Sequence, residues 1–364
     1  MKSEIETRAF SDVLEIRNGK DQKKVQSRDG AYPIYGSGGE MGRASAYLCP
    51  AETIILGRKG SINSPIFVRE PFWNVDTAFG LIANRIILDP VYLFHFCKSF
   101  DFSKLNTTVT IPSLTKANLL KVRLPVPSME TPKSIAARLG KVCDLIDKRQ
   151  AQLAQLDTLA KSLFVEMFET GNYKEVYLEE VVYPDRPITY GVVKPGKEVP
   201  GGVPIIKVKD FPDGAVKKTN ILHASPEIEK GYKRSRVVTG DLLYSIRGTV
   251  GRMAFVPKEL DGANITQDTA RVSIDRNRFQ PTYIMASLSV PDIRRVIEGK
   301  IKGGAVKGIN LSDLRKIKIP LAGQSDQIEF ARQIQLIDKS KFAIRKSLDE
   351  LNRLYRSLLQ QYFG

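Results

Sequence analysis

Two stretches of this chain repeat apolar residues at alternating steps of three and four, while the stretches before them are mixed and rich in turns. In the first, Leu139, Val142, Ile146, Arg149, Leu153, Leu156, Ala160, Leu163 and Met167 fall on one line, with only Arg149 polar. In the second, Ile337, Lys341, Ile344, Leu348, Leu351, Tyr355, Leu358 and Tyr362 do the same, with Lys341 as the charged interruption. A period of 3.5 is the seam of a coiled coil. Two amphipathic helices packed on ordinary domains would also show stripes, but heptads sustained this long favour a helix pair. Thr131-Pro132 offers an N-cap with proline at the first helical position and Gly171 a stop, which predicts a helix over about residues 132–168. Ser325 is the matching cap candidate for the second helix. At about 1.5 Å per residue the first helix spans roughly 55 Å. An antiparallel pair of this length would serve as a ruler.

The mixed stretches repeat as well, with matches in the same order. Tyr32-Pro33-Ile34 answers Val203-Pro204-Ile205, and Ile54-Ile55-Leu56 through Ile62 answers Leu242-Leu243-Tyr244 through Val250. Asp76-Thr77-Ala78 answers Asp268-Thr269-Ala270, and Pro90-Val91-Tyr92 answers Pro281-Thr282-Tyr283. Leu119 to Pro125 answers Leu314 to Pro320, and both halves close with Ser-Leu followed by Phe, at Phe168 and Phe363. The period is too long for a solenoid, so this is a duplicated domain. Between a shared Leu-Ile-Asp and that Phe, the second helix holds four more residues than the first, about one turn, so the halves are not perfectly symmetric.

Composition adds partner class. With 364 residues and 42% hydrophobic content the chain can bury more than one core. No apolar run approaches a membrane span and the start has no apolar signal core, which predicts a cytoplasmic protein without membrane contact. Cys49, Cys97 and Cys143 are scattered and odd in number, which speaks for buried thiols over a disulfide framework or zinc site. The formal net charge of +16 is uneven: +5 on residues 1–128, 0 on 129–170, +9 on 171–324 and +2 on 325–364. Two basic globular surfaces on a nearly uncharged frame fit a polyanion, of which nucleic acid is the commonest.

Two passages carry a family resemblance: Ile111-Pro112-Ser113-Leu114-Thr115-Lys116-Ala117-Asn118-Leu119 leading to Leu124-Pro125, and Gly308-Ile309-Asn310-Leu311-Ser312-Asp313-Leu314 leading to Ile319-Pro320. With the alternation of mixed domain and long helix, they make the whole chain resemble the specificity subunit of a type I restriction-modification system. The resemblance implies an α+β chain with a pseudo-twofold internal repeat. Two mixed α/β target-recognition domains, 1–128 and 171–324, would be separated by helical spacers, 129–170 and 325–364, that form an antiparallel coiled coil. It further implies that each recognition domain reads one half of a split site in double-stranded DNA and that the spacers dock two methyltransferase (modification) subunits. Those partners would use S-adenosylmethionine, no cofactor being held by this chain, and a restriction/translocase subunit would complete the complex. Members often follow the proline with an acidic-Gln pair; the second half has Asp326-Gln327, the first only Glu130-Thr131-Pro132, a departure that bears on capping.

Candidate DNA contacts lie in loops. Gly36, Ser37, Gly38 and Gly39, followed by Arg43, can bring amide N–H groups to phosphate and leave an arginine free for a base edge, or can be an ordinary turn. Lys59 and Ser61 around Gly60 match Arg247, Thr249 and Arg252 around Gly248, and recurrence favours function over a merely solvated hairpin. Thr107, Thr108 and Thr110 align with the stretch Gly304 to Lys307, next to Lys302, although threonine runs also suit plain strands. Lys207 and Lys209 would flank a buried Val208 on one face of a strand.

No catalytic or metal-binding set is expected. Gly57-Arg58-Lys59-Gly60-Ser61 lacks Walker spacing, and His95 and His223 stand apart from any cysteine pair or acidic cluster. Asp89-Pro90-Val91-Tyr92 is only a faint likeness to an amino-methyltransferase motif; it and Gln280-Pro281-Thr282-Tyr283 are read as helix starts. Two alternatives stay open: a stand-alone methyltransferase with degenerate motifs, and a coiled-coil scaffold whose basic domains bind RNA or protein.

Overall fold

Glu130–Phe168 and Gln324–Phe363 form helices of 39 and 40 residues, and the shielded positions along them follow the 3.5 period. Leu139, Val142 and Ile337 are buried, while Ile146, Arg149, Leu153, Leu156, Leu163, Ile344, Leu348, Leu351, Tyr355 and Leu358 are half-buried. Off that line the helices are mainly exposed, Leu145, Leu159, Leu336 and Phe342 included. Both charged interruptions are answered locally: Lys341 donates to Asp157 at 2.7 Å, and Arg149 to Gln152 at 2.8 Å. Thr131 and Ser325 lie inside the helices and are not their caps, because the helical turns begin at Glu130 and Gln324.

The computed structural model describes residues 6–106, 112–126, 130–168, 171, 173–212, 214–304 and 306–364. It divides into two units, Met1–Gln152 with Ala343–Gly364, and Leu153–Phe342. In the first unit the start of the first long helix (Ile135, Ala136, Leu139) shares a core with the end of the second (Leu359, Phe363). In the second unit the end of the first helix (Phe164, Phe168) packs with the start of the second (Phe330). The two long helices therefore run antiparallel.

Each unit carries the same three sheets. In the first, a four-stranded sheet runs Leu14–Asn18, Ala78–Ala83, Thr53–Gly57, Ile66–Val68, and a three-stranded sheet runs Gly39–Ala44, Tyr32–Gly36, Trp73–Asn74. In the second, the corresponding orders are Thr189–Tyr190, Thr269–Val272, Leu242–Ser245, Met253–Phe255 and Leu222–Ala224, Val203–Ile206, Asn264–Ile265. A two-stranded ladder, Glu6–Ala9 with Arg123–Val126 and Glu175–Tyr177 with Lys318–Pro320, leads towards each long helix. Every residue of the central strands is buried, so they lack the alternation of a strand with one solvated face.

Register confirms the duplication rung by rung. Ile54 faces Phe67 and Leu81; its counterpart Leu242 faces Phe255 and Val272. The Asp-Thr-Ala match shifts, however: Gly57 faces Ala78 whereas Ser245 faces Thr269, so the ladder pairs Ala78 with Thr269 and not with Ala270. Strand pairing, which backbone hydrogen bonds fix, overrides three-letter identity here.

Pro90–Ser99 is a helix capped by Asp89, which accepts from the amides of Val91 and Tyr92, and Pro281–Ser287 is its counterpart. Their tyrosines do the same work: the Tyr92 hydroxyl donates to the Pro125 carbonyl at 2.9 Å and the Tyr283 hydroxyl to the Pro320 carbonyl at 2.7 Å. Phe363 packs on Tyr92 and Phe168 on Tyr283, so the shared terminal Phe of each long helix seals a unit core.

Candidate nucleic-acid interface

The central strand of each four-stranded sheet runs into a glycine-bearing loop, and that loop is stitched to a second segment by equivalent backbone bonds. In the second unit, Gly248 N–H donates to the Lys307 carbonyl and Ile309 N–H to the Ile246 carbonyl, both at 2.9 Å. In the first, Gly60 N–H donates to the Pro112 carbonyl at 3.0 Å and Leu114 N–H to the Arg58 carbonyl at 2.9 Å. Gly60 and Gly248 have φ of +75° and +72°, a left-handed turn that a side chain would strain. Elsewhere in the pattern the glycines answer close approach: a Cβ on Gly57 would stand 2.4 Å from the Ser61 carbonyl oxygen and 3.0 Å from the Ser37 Cβ.

This joint gathers many of the basic and hydroxyl residues singled out from sequence. Arg247, Thr249, Lys302 and Lys307 are exposed on the two bonded segments, and Arg252 is half-buried. Lys302 and Gly308 exchange backbone hydrogen bonds at 2.8 and 2.9 Å, which closes the second segment into its own turn. The Ser245 hydroxyl donates to the Thr249 carbonyl and accepts from the Arg252 amide, so the loop is fixed from beneath while its cations remain outside. Arg247 leans on Gln267 at 3.3 Å, through one guanidinium nitrogen. In the first unit Lys59 and Ser61 are exposed on the matching loop, and Ser37 meets it at Gly57. Thr107, Thr108 and Thr110 lie outside the described residues. The bonded positions place Pro112, and not Thr110, opposite Lys307.

Two expectations change. Arg43 is not free for a base edge: its guanidinium donates to the Gly30 and Ala31 carbonyls at 3.1 and 3.0 Å and braces the hairpin in which Gly36 pairs with Gly39. Lys207 and Lys209 are not on one strand face, because the strand ends at Ile206 and Val208–Asp210 is a 3-10 turn closed by the Lys207 amide on Asp210 at 2.8 Å. Asp210 at N3 supplied a capping signal that the strand reading passed over. Even so, the Gly-Ser-Gly turn and the two lysines occupy the same place in the repeat, after the middle strand of the three-stranded sheet.

His95 is a core residue: it is buried, bonds the Tyr355 hydroxyl at 2.8 Å, and is pushed down to about 4 by burial. Gln327, from the acidic-Gln pair, is buried too; its amide oxygen accepts from the Gln280 N–H and its NH₂ donates to the Ala322 carbonyl. It locks a helix start to the second long helix. Pro132 stands buried at the matching place in the first half. Among the described residues no group of three or more His, Cys, Asp or Glu is placed to hold a metal, and no helix is long and apolar enough to cross a membrane.

Sequence reasoning missed Arg271, which is 3% exposed in the strand Thr269–Val272. The available signal was a lone arginine inside the alternating run Thr-Ala-Arg-Val-Ser-Ile.

The family model for the type I restriction modification DNA specificity domain matches residues 2–158 and again 192–353. The specificity subunit of the EcoBI type I restriction enzyme from Escherichia coli is 27% identical, over 86% of this chain and 73% of its own length. A putative MjaX specificity subunit from Methanocaldococcus jannaschii is 23% identical over 76% of this chain and 68% of its own. Among solved structures, the S subunit of a type I restriction-modification system from M. genitalium superposes with a TM-score of 0.62 at 16% identity, covering 100% of this chain and 98% of that one, which shows the shared fold. This chain belongs to the family of type I restriction modification DNA specificity domains and carries that domain twice.

Proposed function

We propose that this chain is the sequence-recognition subunit of a type I restriction-modification complex and reads a bipartite, asymmetric site in double-stranded DNA. Residues 1–128 and 171–324 are the recognition domains in this reading, one per half-site, and 129–170 and 325–364 are the spacers. The observation that carries it is the loop joint built twice: a basic residue, a glycine and a hydroxyl, bonded to a second segment by the same two backbone bonds in each unit. Amide, hydroxyl and cationic groups exposed on a rigid joint hold a phosphate backbone and orient side chains towards base edges. The two joints differ in residues, Lys59 and Ser61 against Arg247, Thr249, Lys302 and Lys307, which suits two unlike half-sites.

The chemistry would reside in partners. The helices present Leu145, Leu159, Leu336 and Phe342 outside their seam, apolar surface suited to docking two methyltransferase subunits that carry S-adenosylmethionine. A translocating restriction subunit would act on the same assembly. The test is modification-sensitive sequencing of DNA from cells holding the cognate methyltransferase subunit, with and without this chain. A bipartite methyl-adenine motif that appears only with the chain is the expected result; unchanged methylation would overturn the proposal in favour of an RNA- or protein-binding scaffold.

A further inference from the structure

The second unit holds a cationic cavity that the first does not repeat at the matching rung. It measures about 500 Å³, and its charged lining is Arg186, Lys233, Arg234, Arg271 and Arg315 with the carboxylate Asp185. Arg186 is already paired with the buried Asp241 at 2.8 Å, so the lining retains an excess of positive charge.

Arg271 forms the deepest part of that charge. Its two terminal nitrogens donate to the carbonyls of Arg234, Arg236 and Pro187, at 2.6 to 3.1 Å, which fixes the guanidinium, while its buried Nε has no hydrogen-bond partner among the described residues. Arg315 is held in the same way, on the Ile188 carbonyl. Lys233 and Arg234 stand exposed at the mouth on a 3-10 turn, with no ion pair among the described residues. Burying a guanidinium with an unsatisfied N–H is unfavourable unless something completes its partners. Fixed arginines behind exposed cations suit a phosphate group, since Arg offers directed N–H donors and Lys a point charge.

The first unit has Gly80 on the rung of Arg271, and a Cβ there would lie 2.6 Å from the Cys49 sulfur, so its space is filled by apolar packing. The cavity is thus an addition to the repeat. It adjoins the proposed interface along the chain: Arg315 lies on the helix Leu311–Arg315, which begins three residues after Gly308.

We infer that this cavity is a phosphate receptor, occupied by a backbone phosphate of duplex DNA and used by the second recognition domain alone. The inference rests on the DNA-binding reading and assigns that reading one further contact. The test uses the full chain and the double variant Lys233→Ala/Arg234→Ala, which leaves the Arg234 carbonyl and hence the Arg271 clamp in place. Affinity for a 40-bp duplex is measured across a salt series, alongside the Lys302→Ala/Lys307→Ala variant, and inorganic phosphate binding is followed by calorimetry. A weaker duplex affinity with the salt slope reduced by about 1 to 2 phosphate equivalents supports the inference. Loss of inorganic phosphate binding with an unchanged duplex slope would show a receptor for free phosphate and overturn the DNA assignment. An unchanged slope and unchanged phosphate binding, while the Lys302/Lys307 variant weakens the duplex, would overturn the receptor itself. Failure of the unaltered chain to bind the duplex at any salt would instead sink the DNA-binding reading.

Discussion

Gly57 and Ser245 occupy the same rung of the two four-stranded sheets and meet the same neighbour in opposite ways. In the first unit the loop carbonyl of Ser61 comes so close that a Cβ would stand 2.4 Å from it; in the second the Ser245 hydroxyl donates to the equivalent carbonyl, of Thr249, at 2.5 Å. One unit removes a side chain to admit the loop, and the other uses a side chain to hold it. The duplicated fold therefore fixes where the loop sits, while each half is free to choose how, and with which exposed residues, it is presented. That separation of scaffold from surface is what two unlike DNA half-sites demand.

The comparison is sharpened most by the helix ends. Phe168 is 3% exposed and packs its ring against Phe164, Tyr173, Tyr283 and Phe330, whereas Phe363 is half-buried on Tyr92 and Phe96. Phe168→Ala is expected to cost the second unit about 3–5 kcal/mol, and Phe363→Ala to cost the first roughly half as much, in line with its smaller burial. Hydrogen exchange resolved peptide by peptide reads the two units separately. Equal losses would show that the two seals are interchangeable and break the comparison.

Acid should part the units next. His95 is held neutral in the first unit, pushed down to about 4 chiefly by burial, with Asp89 opposing and Lys98 reinforcing that shift. Its counterpart in the second, counted from the matched tyrosines Tyr92 and Tyr283, is Ala286. Between about pH 6.5 and 4 the unfolded chain takes up a proton that the folded unit refuses, so stability falls as pH drops through that window and levels off below it. The loss at the bottom is about 3 kcal/mol. Trp73, the only tryptophan of the chain, lies in the first unit, so its fluorescence in denaturant titrations at several pH values follows the right transition. A His95→Ala variant that keeps the same acid sensitivity would remove His95 as the cause.

A reciprocal exchange addresses the loop itself. Gly57→Ser must push the Ser61 carbonyl aside and should cost about 1–3 kcal/mol. Ser245→Gly strands the Arg252 amide and should cost about 1–2 kcal/mol. Both should also weaken duplex binding, because Lys59 and Arg247 ride on these loops. Normal duplex affinity in both variants would place the DNA contacts elsewhere.

Much of the frame was legible because its signals are periodic and repeated. Leu139, Val142 and Ile337 declare a seam by spacing alone, and the halves align because their central strands are largely apolar. What stayed hidden depends on how chains meet. Nothing in Arg43 says that Gly30 and Ala31 will take its guanidinium, and Lys207-Val208-Lys209 alternates like a strand until Asp210 pulls it into a turn. The cavity around Arg271 draws on segments from Asp185 to Arg315, which no local motif could have linked.

The smallest expected effect tests how nearly identical the two frames are. Tyr92 and Tyr283 are both buried, both reach the carbonyl of the matched proline in the shared strand, and both accept a terminal phenylalanine on the ring. Tyr→Phe at either position keeps the ring packing and removes one hydroxyl, leaving a carbonyl short of a donor. About 1 kcal/mol should be lost from the unit that carries the change. Tyr283 has one further interaction, accepting weakly from the Ala322 amide at 3.4 Å, so Tyr283→Phe should cost slightly more. Losses alike to within about 0.5 kcal/mol, and additive in the double variant, would mean that the two clamps are energetic copies acting independently. A loss at one position only would show that the duplication preserved a geometry whose energetic weight had already passed to other contacts.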